Sequence, residues 1–304
     1  IGFDMGKINI IIALLMLFGC TKEESININD SDEFPPCGQG YYTNSGKCYE
    51  NECITERGYF IDDGVNGRFN RTEIRVQQNI DTNKNVGIFI TYGQSNSCNW
   101  GEIGYSVNNE VFQFYNDLTY LYEDPSLGGT GTGGSVWGML GDKLIENEIY
   151  DQVVFSITGS PSKTIEELSK NEYYEYFIGN YSQLLKRFGR VDGILFHQGE
   201  SNRWSENQQY YNEFESFYNK LENDGICSPF YLSLVSYCGD GVDSTLLNIQ
   251  NNIIINFENI LRGPNTDLLI EPQHRLPDNC HFSLLGYQQF SDMWVNCIIN
   301  KSEI

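Results

Sequence analysis

The chain has 304 residues, which is long enough for one large domain with a small appendage or for at most two modest domains. Hydrophobic residues make up 40% and charged residues 20%, which excludes a disordered polymer. The formal net charge of −22 argues against nucleic acid as a partner, because phosphate binding requires a basic surface. An acidic surface favours solubility, but it identifies no partner by itself.

The first residues are typical of an export signal. An apolar run at 8–18 follows Lys7; it is too short to span a bilayer but fits the core of a signal peptide. The run ends at Leu17-Phe18-Gly19-Cys20, which resembles the lipobox of bacterial lipoproteins. The resemblance implies acylation of Cys20 and an exported protein, lipid-anchored at the bacterial cell envelope and, from the acidic residues that follow, surface-exposed. An ordinary cleaved signal with a chance cysteine is the alternative.

The composition divides the chain into four parts. We expect a lipoprotein-type signal peptide at 1–19, an acidic tether at 20–36, a small Cys-rich segment at 37–80 and the main domain at 81–304. The stretch 37–53 is interpreted as a structural spacer, with a minor binding module as the alternative. Besides Cys20 there is an even number of cysteines, which in an exported protein suggests disulfides of open connectivity: Cys37, Cys48, Cys53, Cys98, Cys227, Cys238, Cys280 and Cys297.

Short apolar runs alternate with longer amphipathic stretches in the main domain. The runs predict buried strands at 86–92, 152–158, 191–197 and 230–237. The stretches predict helices at 135–148, 173–188, 205–223, 246–257 and 283–299. This alternation indicates an α/β fold with a parallel sheet covered by helices on both faces. In such sheets ligands bind beyond the carboxyl ends of the strands.

Four segments with reactive side chains fall near those strand ends. They are Gly93-Gln94-Ser95-Asn96, Thr158-Gly159-Ser160-Pro161, His197-Gln198-Gly199-Glu200-Ser201-Asn202 and Asp278-Asn279-Cys280-His281. A serine becomes a nucleophile when an imidazole takes its proton, and the imidazole needs an acid to fix its tautomer. We therefore predict Ser95, His281 and Asp278 as a catalytic triad. The amides of Ser95 and Gly159 and the side chain of Gln198 are the predicted oxyanion-hole donors.

These segments resemble the SGNH (GDSL-like) hydrolases, in the carbohydrate-esterase branch that includes sialate O-acetylesterases and acetyl xylan esterases. The Gly-Gln-Ser-Asn, Gln-Gly-Glu-Ser and Asp-x-x-His blocks of that branch match residues 93–96, 198–201 and 278–281. The resemblance implies a three-layer α/β/α sandwich with a central parallel sheet and no required metal or cofactor. It also implies that the Gln198 side chain is a hydrogen-bond donor in the oxyanion hole. Asn96, Gly199 and Glu200 are expected to support the site, with a second acid as the alternative role of Glu200.

Some residues depart from this pattern or stand outside it. The second block of the family has adjacent glycines, whereas Ser160 follows Gly159 here. His197 is expected to be a hydrogen-bonded wall residue, His274 a solvated loop residue, and Cys98 a disulfide partner or a buried thiol. The glycine-rich stretch 129–134 does not follow a strand, so we interpret it as a flexible loop at the rim of the pocket rather than as a nucleotide site.

The predicted function is that of an extracytoplasmic serine esterase. It removes O-acetyl groups from carbohydrate through an acyl-enzyme, with acetylated carbohydrate as partner substrate, a membrane contact through Cys20 and no nucleic acid. Two alternatives remain open: a catalytically inactive glycan-binding surface lipoprotein, and a lipid or thioester hydrolase on the same scaffold. The sequence leaves the choice among acetylated glycans open.

Overall fold

The structure is a computed structural model that describes residues 67–205 and 208–300. The predicted signal peptide, Cys20, the acidic tether and the stretch 37–53 lie outside the described residues. Within the described part of the chain, no helix combines the length and the apolar character that crossing a membrane requires.

The centre of the domain is one seven-stranded sheet. Its strands are β1 (Val86–Gly93), β2 (Val111–Tyr115), β3 (Leu118–Leu121), β4 (Gln152–Ile157), β5 (Gly193–His197), β6 (Phe230–Leu234) and β7 (Ile260–Asn265). They are arranged in the order β3-β2-β4-β1-β5-β6-β7. All neighbouring pairs are parallel except β2 and β3, which form an antiparallel hairpin at one edge.

In the described residues, six α-helices connect or follow the strands. They are α1 (Trp137–Glu146), α2 (Ile165–Leu168), α3 (Asn171–Phe188), α4 (Gln209–Asn223), α5 (Ser244–Asn256) and α6 (Leu284–Ile299). The five helices and four strands predicted from the sequence are all present within a few residues of their expected bounds. The hairpin β2–β3, the edge strand β7 and the short helix α2 were not predicted.

Two hydrophobic cores lie on opposite faces of the sheet. Ile88 and Ile90 of β1 point into the core formed with α3, α4 and α5, whereas Phe89 points into the core formed with α1 and α6. This alternation follows from the period of two residues that a strand imposes on its side chains. The predicted α/β class, with helices on both faces of a mostly parallel sheet, is confirmed, with the addition of one antiparallel edge.

The strand order brings the ends of β4, β1 and β5 next to each other. Gly93 at the end of β1 pairs with His197 at the end of β5, and Thr91 pairs with Ile157 at the end of β4. Three of the four segments predicted to carry chemistry follow these strands directly. They therefore meet at the carboxyl edge of the sheet, where α/β proteins place their ligands.

The residues that precede the sheet are attached to the rim of the domain. Arg68 forms an isolated antiparallel β-bridge with Thr130. Along the edge of β3, the Gln78 amide donates to the Thr119 carbonyl, and the Leu121 amide donates to the Val76 carbonyl. Covering an edge strand in this way prevents it from pairing with another chain.

Candidate active site

The first candidate segment is a tight turn that follows β1. Gly93 has φ +133°, and a Cβ there would collide with the carbonyl oxygen of His197, so only glycine fits. Ser95 begins a 3₁₀ turn, Ser95–Ser97, in which the Ser97 amide donates to the Gln94 carbonyl and the Cys98 amide donates to the Ser95 carbonyl. The close packing of β1 against β5 thus fixes the place of Ser95, which is 5% exposed.

The second segment packs directly against this turn. A Cβ on Gly159 would collide with the Ser97 hydroxyl, and the Ser160 amide donates to the Gly93 carbonyl over 2.9 Å. Among the described residues, none accepts a hydrogen bond from the backbone amides of Ser95 or Gly159. Free amides beside a serine are what an oxyanion hole requires. That the Gly159 amide contributes to such a hole remains a prediction.

The fourth segment joins Asp278 to His281 within one loop. Asp278 Oδ2 lies 2.6 Å from His281 Nδ1, and Asp278 Oδ1 accepts hydrogen bonds from the backbone amides of Cys280 and His281. Partial burial raises the pKa of Asp278, but these hydrogen bonds outweigh it, so the pKa lies below its usual value. The carboxylate is therefore charged at neutral pH, which suits a group that orients an imidazole.

Among the described residues, three of the cross-links that hold this loop end on Cys280. Cys280 forms a disulfide with Cys238, which follows β6. Its carbonyl accepts hydrogen bonds from Asn96 Nδ2 over 3.2 Å and from Arg275 Nη1 over 2.6 Å. Because Asn96 is the neighbour of Ser95, the bond from Asn96 connects the two segments that carry the predicted nucleophile and base.

His281 is held from its other side by an aromatic ring. Trp100, which follows the nucleophile turn and is 39% exposed, stacks on the imidazole with ring centroids 5.7 Å apart and an interplanar angle of 26°. His281 Nε2 is buried and has no hydrogen-bond partner among the described residues. The structure thus leaves this nitrogen available, and the hydrogen bond between Ser95 and His281 stays a prediction.

The third segment surrounds the site with polar groups. The Gln94 side chain accepts a hydrogen bond from the Ser201 amide over 3.0 Å, which joins the first and third segments. Gln198 Nε2 donates to the Lys163 carbonyl (3.1 Å) and to Asn202 Oδ1 (2.6 Å). Both hydrogens of this amide therefore have protein partners, so the predicted contact of Gln198 with an oxyanion requires one of these bonds to be replaced.

Below the site lies a group of buried ionisable side chains. Burial raises the pKa of Glu200 to about 7 and lowers that of His197 to about 3. Glu200 Oε1 accepts a hydrogen bond from Asn96 Nδ2 over 2.9 Å and lies 3.7 Å from His197 Nδ1. A Cβ on Gly199 would collide with the carbonyl of Val235, so this loop packs without space for a side chain. These contacts fit the supporting roles expected of the third segment.

Several residues differ from what the sequence suggested. His274 is buried, not solvated as expected, because α6 packs on it and Gly286 meets its carbonyl oxygen. Cys98, by contrast, is a free buried thiol, which is one of its two expected states, and burial raises its pKa. Cys297 is free as well, so the eight cysteines do not pair off completely. The glycine-rich stretch 129–134 is hydrogen-bonded to the backbone of residues 99–101 beyond the nucleophile turn.

Sequence reasoning missed two features that the geometry makes important. One is the pairing of Cys238 with Cys280, for which the sequence gives no signal beyond the presence of both cysteines. The other is Arg68, whose guanidinium contacts the second segment from 90 residues away along the chain. Because the two partners lie 90 residues apart, no periodic or local pattern in the sequence indicates their contact.

Comparisons with known proteins give the family. The model of the family described as "carbohydrate esterase, sialic acid-specific acetylesterase" matches residues 142–299, which is just over half of the chain. That match includes the second, third and fourth segments and begins after Ser95. No curated protein sequence matches the chain.

Solved structures resemble the fold at low sequence identity. A protein from Arabidopsis thaliana is 16% identical, with a TM-score of 0.58 over 71% of this chain and 98% of its own. A carbohydrate acetylesterase from Xanthomonas citri is 15% identical, with a TM-score of 0.49 over 71% of this chain and 56% of its own. An acetyl xylan esterase from Geobacillus stearothermophilus is 11% identical, with a TM-score of 0.45 over 72% and 98%. With the α/β sheet and the segments at its carboxyl edge, the family match shows that this chain belongs to the sialic acid-specific acetylesterase family of carbohydrate esterases.

Proposed function

We propose that the protein is a serine esterase that removes O-acetyl groups from carbohydrate outside the cytoplasm. The observation that carries the proposal is the Asp278–His281 pair, which one hydrogen bond from Asn96 to the Cys280 carbonyl ties to the turn bearing Ser95. Family membership supports a carbohydrate ester as the substrate. The proposed substrate class is an O-acetylated glycan, and O-acetylated sialic acid is the first substrate to test.

In the first half of the reaction Ser95 is acetylated. Ser95 Oγ attacks the carbonyl carbon of the acetyl ester while His281 Nε2 takes its proton. Asp278 holds the other ring nitrogen, so that the imidazole presents Nε2 and its charged form is stabilised. The carbonyl oxygen becomes an oxyanion that accepts hydrogen bonds from the Ser95 and Gly159 amides. The intermediate then expels the sugar oxygen, which takes the proton from His281 and leaves as the alcohol.

In the second half water releases the acetyl group. His281 removes a proton from water, and the resulting hydroxide attacks the carbonyl carbon of acetyl-Ser95. Collapse of this second intermediate returns the proton to Ser95 Oγ and releases acetate. The mechanism needs a hydrogen bond between Ser95 and His281 Nε2, and such bonds are often long before substrate binds.

The export proposal rests on the sequence alone. The apolar run at 8–18 and the Leu17-Phe18-Gly19-Cys20 motif support secretion and a lipid anchor at Cys20. An anchored esterase at the cell surface would act on glycans outside the cell. Incorporation of labelled fatty acid into the wild type and its loss in Cys20→Ala test this part separately from catalysis.

The enzymatic proposal is tested by acetate release from an aryl acetate and from O-acetylated sialic acid. We expect Ser95→Ala and His281→Ala each to lower kcat by about 10³-fold or more, because serine-hydrolase triads act as a unit. Ser169→Ala, at the end of α2, is the matched control and retains wild-type turnover. A wild type inert on both kinds of ester would instead support the glycan-binding alternative. Full activity in Ser95→Ala would refute the mechanism.

A further inference from the structure

Arg68 is a buried cation that the mechanism above does not use. It is 7% exposed and lies on the segment that precedes the sheet. Its Nη1 donates to the carbonyls of Gly128 (2.9 Å), Gly159 (3.1 Å) and Thr158 (3.3 Å), and its Nη2 donates to Ser160 Oγ (2.9 Å). The guanidinium carbon also lies 3.7 Å from the centre of the Tyr176 ring. Three of these four hydrogen bonds go to consecutive residues of the turn that contains Gly159.

These contacts fix the direction of one particular N–H group. In a trans peptide the C=O of residue i and the N–H of residue i+1 point in opposite directions. When Arg68 binds the Thr158 carbonyl, the Gly159 N–H of the same peptide must point away from the guanidinium. A Cβ on Gly159 would collide with the side chains of Ser97 and Cys98 at the nucleophile turn. The amide that Arg68 orients is therefore the one predicted to face the oxyanion.

In the part of the chain that the structure describes, the contacts of the Arg68 guanidinium are the hydrogen bonds and the ring contact given above. Among the described residues no carboxylate forms an ion pair with it, so its positive charge falls on the carbonyl groups and on Tyr176. A buried cation is costly unless such contacts compensate it. Positive charge behind a peptide polarises its N–H and favours negative charge on the far side. The arrangement is thus suited to a site where an anion develops.

We propose that Arg68 is a positioning residue of the oxyanion hole, which holds the Thr158–Gly159 peptide so that the Gly159 N–H receives the developing oxyanion. The inference rests on the proposed esterase function and extends it. In the second segment Ser160 follows Gly159, and its hydroxyl is the hydrogen-bond partner of Nη2.

The test compares Arg68→Met and Arg68→Lys with a control at Arg75. Arg75 is a second buried arginine of the same segment, but it binds the Pro125 carbonyl (2.7 Å) and Glu123 (3.3 Å) instead of the Gly159 turn. Two quantities are measured: kcat and KM on an aryl acetate, and the inhibition constant of an alkylboronic acid. Boronic acids form tetrahedral anionic adducts with catalytic serines, so their affinity reports the oxyanion hole.

We expect Arg68→Met to lower kcat by about 10–100-fold with little change in KM. The affinity for the boronic acid should fall by a similar factor. Arg68→Lys, with a point charge in place of a planar fork, recovers part of both losses. We expect Arg75→Met to lose as much thermal stability as Arg68→Met but to keep the wild-type affinity for the boronic acid. Should Arg68→Met fail to fold, Arg68→Lys and Ser160→Ala provide the same comparison with smaller expected losses.

The inference is overturned if the wild type is an active Ser95-dependent esterase and the folded Arg68 variants keep wild-type kcat and boronic-acid affinity. It is also overturned if Arg75→Met loses both to the same extent, because the effect would then be structural. Failure of the proposed function gives a different result, since the wild type itself would then show no Ser95-dependent turnover.

Discussion

The predicted nucleophile and the predicted base are held in place by different means. Ser95 sits on a turn whose position follows from the sheet, because the glycine before it packs on the backbone of the neighbouring strand. Asp278 and His281 lie on a loop outside the sheet, and the Asp278 side chain is 47% exposed. That loop takes its position from the cross-links at Cys280.

The difference shows which part of such a site is secured by the fold. A turn fixed by strand pairing cannot move without disrupting the sheet, whereas a loop fixed by a few cross-links can shift while the domain remains folded. Changes at the loop should therefore separate activity from stability. Changes beneath the nucleophile turn should affect both.

The largest effect is expected at the acid of the loop. Asp278→Asn keeps the shape of the side chain but removes the charge that holds the His281 tautomer, so kcat should fall by about 10²–10⁴-fold while the melting temperature changes little. Asp240→Asn is the matched control, since Asp240 lies exposed on the neighbouring loop and pairs with Arg203. Steady-state kinetics with thermal melts measure both. Wild-type activity in Asp278→Asn would contradict the prediction that Asp278 is the acid of the triad.

A smaller effect is expected from the disulfide. The Cys238→Ser/Cys280→Ser double variant loses a cross-link that closes a segment with a sequence separation of 42 residues. We expect kcat to fall about 3–10-fold, and the free energy of unfolding to fall by about 2–4 kcal/mol. Cys297→Ser, which removes a free thiol, is the control for both values. Unchanged kcat in the double variant would mean that the hydrogen bonds from Asn96 and Arg275 hold the loop without it.

The third effect concerns the pH dependence of stability and arises from the buried carboxyl beneath the nucleophile turn. Burial raises the pKa of Glu200 to about 7, above its ordinary value of 4.5. The folded state therefore favours the protonated form, and the stability that this group contributes below pH 4.5 is lost as the pH rises towards 7. Glu200→Gln lacks this titration, so its stability relative to the wild type should rise by up to about 3 kcal/mol between pH 4.5 and 7.5.

Denaturant unfolding at a series of pH values measures this difference. Glu222→Gln, at an exposed position of α4, should follow the wild type throughout. A stability difference between Glu200→Gln and the wild type that does not vary with pH would show that folding does not raise the pKa of Glu200.

Much of the sheet and the grouping of the site were predictable because both depend on local patterns. The strands at 86–92 and 191–197 are apolar runs that end in reactive segments, and parallel pairing places such ends together. The hairpin was missed although it has a turn signal. Asn116 and Asp117 both have positive φ, as tight hairpins require, but the buried Gln113 interrupts the apolar run of β2.

Other features could not be predicted because they depend on tertiary contacts. Strand β7 contains Arg262, Gly263 and Pro264, and Gly and Pro are typical of loops, so the sequence does not indicate a strand there. His274 has polar neighbours in sequence but is buried by α6. The contacts of Arg68 and the partner of Cys280 join segments far apart in sequence, and a single chain gives no sign of either.

The catalytic site is tested most directly by covalent labelling with a fluorophosphonate, followed by mass spectrometry of the peptides. We expect one modified residue, Ser95, with labelling slowed strongly in His281→Ala and in Asp278→Asn because the serine is then not activated. Modification at another residue, or rapid labelling of Ser95 in the absence of His281, would contradict the claim that the turn after β1 and the loop at Cys280 act together as one catalytic site.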